Sequence, residues 1–186
     1  MFLLTAALLV AADQLTKLWA ANAFPLGGQG RYIGFGFYLT YVRNTGAAFG
    51  IFENGTLVLG ILSAVVSLAI LAYLLSSARR MPRLQLIALT LVMSGAVGNM
   101  IDRFWLGYVR DFIHFRVPNF NFPVFNVADS CVVVGAILLL SIGLFGKEGH
   151  PGRGPDVPAE ASDMPDADYY PSQGQGSTDN PNAATD

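Results

Sequence analysis

Between Gly98 and Ser130, three aspartates and two asparagines stand at the edges of strongly apolar runs: Asn99 and Asp102 in GNMIDRF, Asp111 in VRDFIHF, Asn126 and Asp129 in NFPVFNVADS. Charge beside such sequence is expensive, so these residues ask for a function. Asn99, Asp102 and Arg103 are spaced i, i+3, i+4, and Asn126 and Asp129 i, i+3, so on helices each set projects from one face. Two polar faces can then look at each other across a bundle. Asp111 lies between them, in a segment too aromatic and too charged for a simple span, which predicts its delivery from a loop. Two carboxylates close together in a poorly hydrated pocket cannot both ionise easily, and a proton shared between them suits general acid–base chemistry. The residue types alone do not separate Asp111 from Asp102 as a member of that pair.

The elements that must position these side chains are membrane spans. With 186 residues, 53% of them hydrophobic and only 13% charged, and a mean hydropathy of +0.46, the chain is too apolar for an ordinary soluble domain of this size. The net charge of -2 hides an uneven distribution: residues from Gly146 onward hold eight acids and two bases, which leaves five acids and nine bases in residues 1–145. A body of +4 that uses so few carboxylates, yet sets Asp13, Asp102, Asp111 and Asp129 in or beside apolar runs, is built for chemistry or ion passage. The single Cys131 excludes an intrachain disulfide and a cysteine metal cluster, and reads as a small buried hydrophobe.

Met1 to Ala12 is uncharged and could pass for the core of a signal peptide, but no basic residue precedes it and the apolar pattern resumes beyond Lys17, so a retained first span over about 1–23 is expected. Asp13 and Lys17 are then i, i+4 partners, either neutralising one another near the interface or supporting a site in the bundle. Phe35–Arg43 is rich in aromatic and β-branched residues and predicts a short β element at the membrane surface. RNTGAAFG, Arg43–Gly50, is by itself an ordinary turn or a tight path beside a site. Further spans are expected over about 55–78, 84–104 and 126–145. Alternation along four spans places Asp13, Asp102 and Asp129 at one end of the bundle. A bare count of arginines does not orient the chain; the short dense loop with Arg79, Arg80 and Arg83 is given more weight and puts both termini in the cytoplasm. Residues 147–186, rich in Gly, Pro and acids, cannot bury a core and read as a disordered acidic tail.

Five motifs in this order, DQLTK (Asp13–Lys17), RNTGAAFG, GNMIDR (Gly98–Arg103), VRDF (Val109–Phe112) and FNVADS (Phe125–Ser130), resemble the bacterial lipoprotein signal peptidase, or signal peptidase II, family over roughly residues 10–145. The resemblance implies an all-α integral membrane protein of four transmembrane helices with a small extracytoplasmic β element, its protease domain covering 1–146. It implies an intramembrane aspartic endopeptidase that removes the signal peptide from diacylglyceryl-modified prolipoproteins on the amino side of the lipidated Cys. The catalytic aspartates would be Asp111 and Asp129, with Asp13, Lys17, Asn44, Gly46, Asn99, Asp102, Arg103, Asn126 and Ala128 binding substrate or bracing the site. On this reading Asn126 and Asn99 hold the water or the peptide backbone, and Arg103 serves substrate carbonyls or a neighbouring Asp102. No metal, cofactor or covalent enzyme intermediate is needed, and the expected partners are lipidated prolipoproteins and membrane lipid, with no nucleic acid. A monomer in the bacterial inner membrane with its site toward the outer leaflet is expected. The long acidic tail departs from the family pattern. The competing class is a small proton- or ion-coupled transporter, which would call for more helices or internal repeats than these four spans display.

Overall fold

The computed structural model describes residues 2–46 and 55–145. The chain divides into two units, 1–147 and 148–186. The acidic tail, and the part of RNTGAAFG beyond Gly46, lie outside the described residues.

In chain order the elements are α1 (Phe2–Ala23), β1 (Arg31–Gly34), β2 (Phe37–Asn44), α2 (Thr56–Ser77), α3 (Arg83–Leu106), β3 (Val109–Val117), β4 (Phe120–Asn121) and α4 (Val127–Phe145). All four helices are long and apolar enough to cross a bilayer. The third runs two residues past its expected end at 104. It stops where Gly107, at φ 77°, adopts the left-handed conformation and its N–H turns back to the carbonyl of Arg103 at 3.2 Å.

α3 is the central helix: it packs against α1, α2 and α4, whereas α2 comes close to no other helix among the described residues. Lipid tails are as apolar as leucine, so helices in a bilayer gain little from burial and associate where small residues let backbones approach. Three glycines do this along one seam. A Cβ on Gly95 would strike the carbonyl oxygen of Ala128, one on Gly98 would come within 2.6 Å of the Asp13 carboxylate, and one on Gly135 within 2.7 Å of the Ala88 carbonyl. Gly95→Ala is therefore expected to force α4 off α3 and to cost about 1–3 kcal/mol, read as a lower thermal midpoint in detergent. Gly143→Ala, which meets nothing within 4 Å, is the matched control and should be neutral or slightly stabilising.

Between the helices lies a four-stranded sheet in the order β1-β2-β3-β4, antiparallel throughout. The strand expected over Phe35–Arg43 is β2. It pairs with β3 from Phe37↔Phe115 through Leu39↔Ile113 to Val42↔Asp111 and Asn44↔Val109, with an irregularity between Leu39 and Val42. Asp111 thus sits in a strand, not in the loop predicted for it. The aromatic and charged residues that rule out a span in this segment face a partner strand, as in Phe37 against Phe115 with ring centroids 4.9 Å apart and the Arg116 guanidinium 4.4 Å above the Tyr38 ring. β3 is also tied to the entry of α4, since the amides of Phe112 and Ile113 both reach the carbonyl of Phe125, at 3.0 and 2.8 Å.

Candidate active site

The site begins with how α4 starts. The first amides of a helix lack partners within it. Here the Asn126 side-chain oxygen accepts from the Asp129 amide at 2.9 Å, and an Asp129 carboxylate oxygen accepts from the Asn126 amide at 3.1 Å. This is a reciprocal capping arrangement in which the acid at the third helical position reaches back to the cap. Once its oxygen is committed to the helix, the Asn126 amide group can only point away from it. It donates to Asp111 at 2.6 Å and to the side-chain oxygen of Asn99 at 3.1 Å. Asn99 in turn donates to the other Asp129 oxygen at 2.7 Å. Two asparagines therefore connect the two carboxylates, one of them on α4 and the other on β3.

Asn44, two residues along β2 from the partner of Asp111, donates to the second Asp111 oxygen at 2.9 Å and accepts from the amide of Gly46 at 3.0 Å. Burial first, and then the Asp129 carboxylate, raise Asp111 from the usual carboxyl value of 3.8 to about 7. A sign follows for stability. The unfolded chain gives up this proton near 3.8 and the folded chain near 7, so the contribution is complete below the lower value and is lost as pH rises through the upper one. The thermal midpoint of Asp111→Asn relative to the unaltered chain should accordingly climb between pH 5 and pH 8. A difference that stays flat over that range would contradict it.

Lys17 and Asp102 are fully buried. Lys17 lies 2.8 Å from Asp13 and donates to the Asn99 oxygen at 2.9 Å, so the pair supports the interior of the site and does not merely neutralise itself at the interface. The second Asp13 oxygen accepts from the amide of Ala128, at 2.9 Å, so that α1 satisfies another of the free amides opening α4. Ala128 contributes through that amide and through its closeness to Gly98.

One of the two partners expected for Arg103, the neighbouring Asp102, is taken by another cation. Asp102 turns away from Arg103 and is held by Arg110, whose Nε and Nη2 reach its two oxygens at 3.1 and 2.7 Å. Arg103 is one residue further round α3 and faces the other way, with a long contact of 3.5 Å from Nη2 to the Gly46 carbonyl among the described residues. Its buried Nε has no hydrogen-bond partner among the described residues. Asn99 and Asn126 both donate to the carboxylates themselves, and Asn99 also lines an apolar cavity. Gln14 and Arg110, which join this cluster, stand in the motifs DQLTK and VRDF but carried no role in the sequence reading. The unmatched negative charge of Asp102, once Lys17 is assigned to Asp13, is the signal that asks for another cation.

A cavity of about 690 Å³ opens between α2, α3 and α4. Its walls are apolar, with Leu62 and Val66 from α2, Val92 from α3 and Val132 and Val133 from α4, and its polar end is formed by Asn99, Arg103 and Asp129. Leu62 and Val133, both on its rim, are more than half exposed. The arrangement can hold a long apolar group and bring its polar end to Asp129, which Asn99 and Asn126 join to Asp111.

A family model described as Signal peptidase (SPase) II matches residues 5–145. The chain is 45% identical over 141 residues to the lipoprotein signal peptidase of Symbiobacterium thermophilum, covering 75% of this chain and 92% of that protein. It is 40% identical over 139 residues to the lipoprotein signal peptidase of Bacillus subtilis, covering 75% and 90%. Among solved structures it resembles one described as "Bacterial membrane enzyme structure by the in meso method at 2.3 A resolution", with a TM-score of 0.71, 30% identity, and coverage of 83% of this chain and 93% of that one.

Proposed function

The chain belongs to the signal peptidase II family, and from that membership we propose that Asp111 and Asp129 are its catalytic pair. It is a multi-pass membrane peptidase that removes signal peptides from prolipoproteins. The aspartic mechanism rests on one observation above all: a carboxylate on a strand and one on a helix are joined through Asn126 and Asn99, and the helix carboxylate, Asp129, lines an apolar cavity.

Near neutral pH the pair shares one proton, which Asp111, raised to about 7, is able to hold. The Asp129 carboxylate takes a proton from a water molecule as its oxygen attacks the scissile carbonyl, while Asp111 donates a hydrogen bond to the carbonyl oxygen. Collapse of the tetrahedral intermediate sends a proton to the leaving amine and returns the pair to one shared proton. The amine is that of the diacylglyceryl-modified Cys, and the cavity takes the apolar chain beside it. The Arg103 Nε, without a hydrogen-bond partner among the described residues, is a donor for a substrate carbonyl. All of these side chains come from one copy of the chain, so a monomer suffices. The site lies at the end of the bundle opposite Arg79, Arg80 and Arg83, and that charge placement supports cytoplasmic termini in the inner membrane, with the site toward the outer leaflet. The relatives lend no support to a transporter.

The test is cleavage of a synthetic prolipoprotein peptide by the purified chain in detergent, with mass spectrometry of the product. The new amino terminus should be the lipidated Cys, the reaction should survive a chelator, and the same peptide without diacylglycerol should be a poor substrate. Cleavage at another bond, or equal rates on both peptides, would overturn the reading.

A further inference from the structure

We propose that Arg110 is a positioning residue for this reaction, clamping the start of β3 to α3 and α1 so that Asp111 is presented to Asp129, and matching the charge of Asp102 beside the pair. The inference rests on the reading of Asp111 and Asp129 as catalytic.

Successive side chains of a strand point to opposite faces, so Arg110 and Asp111 divide the start of β3 between two environments. Asp111 faces the asparagines. Arg110 is buried on the other side and is held at every polar group it offers to Asp102: its backbone amide donates to one carboxylate oxygen at 2.9 Å, its Nε to the same oxygen at 3.1 Å and its Nη2 to the other at 2.7 Å. Nη2 also donates to the Gln14 carbonyl oxygen at 2.8 Å. The Gln14 amide is fixed in that orientation by the Gly98 carbonyl at 3.0 Å and by Asp13 and Asp102, each at 3.2 Å. The peptide preceding Asp111 is thereby tied to two membrane helices, and a planar fork with two donors on one carboxylate sets both position and angle.

A second route runs through Lys17. Its ammonium is 3.7 Å from Asp102 while its hydrogen bond goes to Asn99, which holds Asp129. If Arg110 loses its charge, Lys17 is the nearest cation left to Asp102 and is drawn off Asn99, so both carboxylates are disturbed. Among the described residues, the charged groups around the pair are Asp13 and Lys17 on α1, Asp102 and Arg103 on α3 and Arg110 on β3. Tyr41, Tyr108 and Cys131 are the other titratable side chains nearby, Arg43 is exposed, and His114 is engaged with Asn121. With one proton on the pair these charges cancel, and removing Arg110 leaves one negative charge in excess. Ionising the pair then becomes harder and the acid limb of the rate profile moves to higher pH.

The experiment measures kcat and KM for the lipidated peptide across pH with the full chain in detergent, each normalised to the folded fraction. Arg110→Gln should lower kcat at least about tenfold with KM changed less than about twofold, and should move the acid limb upward. Arg110→Lys, which keeps the charge but not the fork, should keep the limb and lose part of kcat. Asp102→Asn with Arg110→Gln strands no charge; it should restore the limb and give a turnover above the single variant but still below the unaltered chain. Should Arg110→Gln fail to fold, the double variant decides alone, since full turnover there overturns the proposal. A folded Arg110→Gln with normal kcat and an unmoved limb overturns it too. Asp111→Asn run in parallel separates the two readings: if it retains turnover, the assignment of the pair has failed, and not the role of Arg110 alone.

Discussion

Replacing either Asp111 or Asp129 by asparagine is expected to stop cleavage while leaving substrate binding largely intact. Asparagine is close in shape to aspartate but can neither take the proton of the attacking water nor hold one for the carbonyl oxygen. Loss of general acid–base function alone costs at least about a hundredfold, and loss of water activation with it considerably more. The double variant should be little worse than either single one, because the two residues work as a unit. Asp102→Asn provides the contrast. Its carboxylate is held by Arg110, Lys17 and Gln14 and not by the asparagines that join the pair, so the change should reduce turnover by less than Asp111→Asn does. Should Asp111→Asn keep near-normal turnover while Asp102→Asn abolishes it, the pair has been assigned to the wrong carboxylate.

The other large effect is expected from Lys17→Ala. A buried ion pair contributes little net stability as a pair, but removing one partner leaves the other uncompensated and typically costs about 3–5 kcal/mol. The ammonium lost here is within 4 Å of Asp13 and Asp102 and is a donor to Asn99, so the folded yield and the turnover of what does fold should both fall. Asp13→Asn together with Lys17→Gln leaves neither charge stranded and keeps an amide able to donate to Asn99. That double variant should recover a good part of the yield. Equal damage from the single and the double changes would show that the two residues act independently of one another.

Much of this was legible in the sequence because membrane helices are written in long uncharged runs, and because an intramembrane carboxylate has few reasons to exist. Asp129 and Asn99 could be placed on facing helices by spacing alone. Asp111 could not be set in a strand, because its partner is β2, more than sixty residues earlier, and no local pattern encodes that pairing. Arg110 was hidden in another way, since Asp102 stands only eight residues before it. A cation next to a catalytic acid reads as its partner, and only the alternation of a strand sends it to the opposite side. Arg103 misled for the converse reason: adjacency to Asp102 on a helix puts the two side chains about 100° apart, which is enough to give them different neighbours.

The gap between α2 and α4 decides what concentration means for this enzyme. Since, among the described residues, α2 leans on α3 alone and the cavity-lining Leu62 and Val133 are exposed, a substrate entering there from the bilayer that the four spans imply comes from hydrocarbon. The quantity that saturates the enzyme is then a mole fraction within the bilayer, and adding inert lipid or detergent at constant substrate per volume dilutes the reaction. An inhibitor drawn to the cavity carries its partition coefficient into its apparent potency, so two compounds of equal affinity for the site will differ in effect by the ratio in which each enters the membrane.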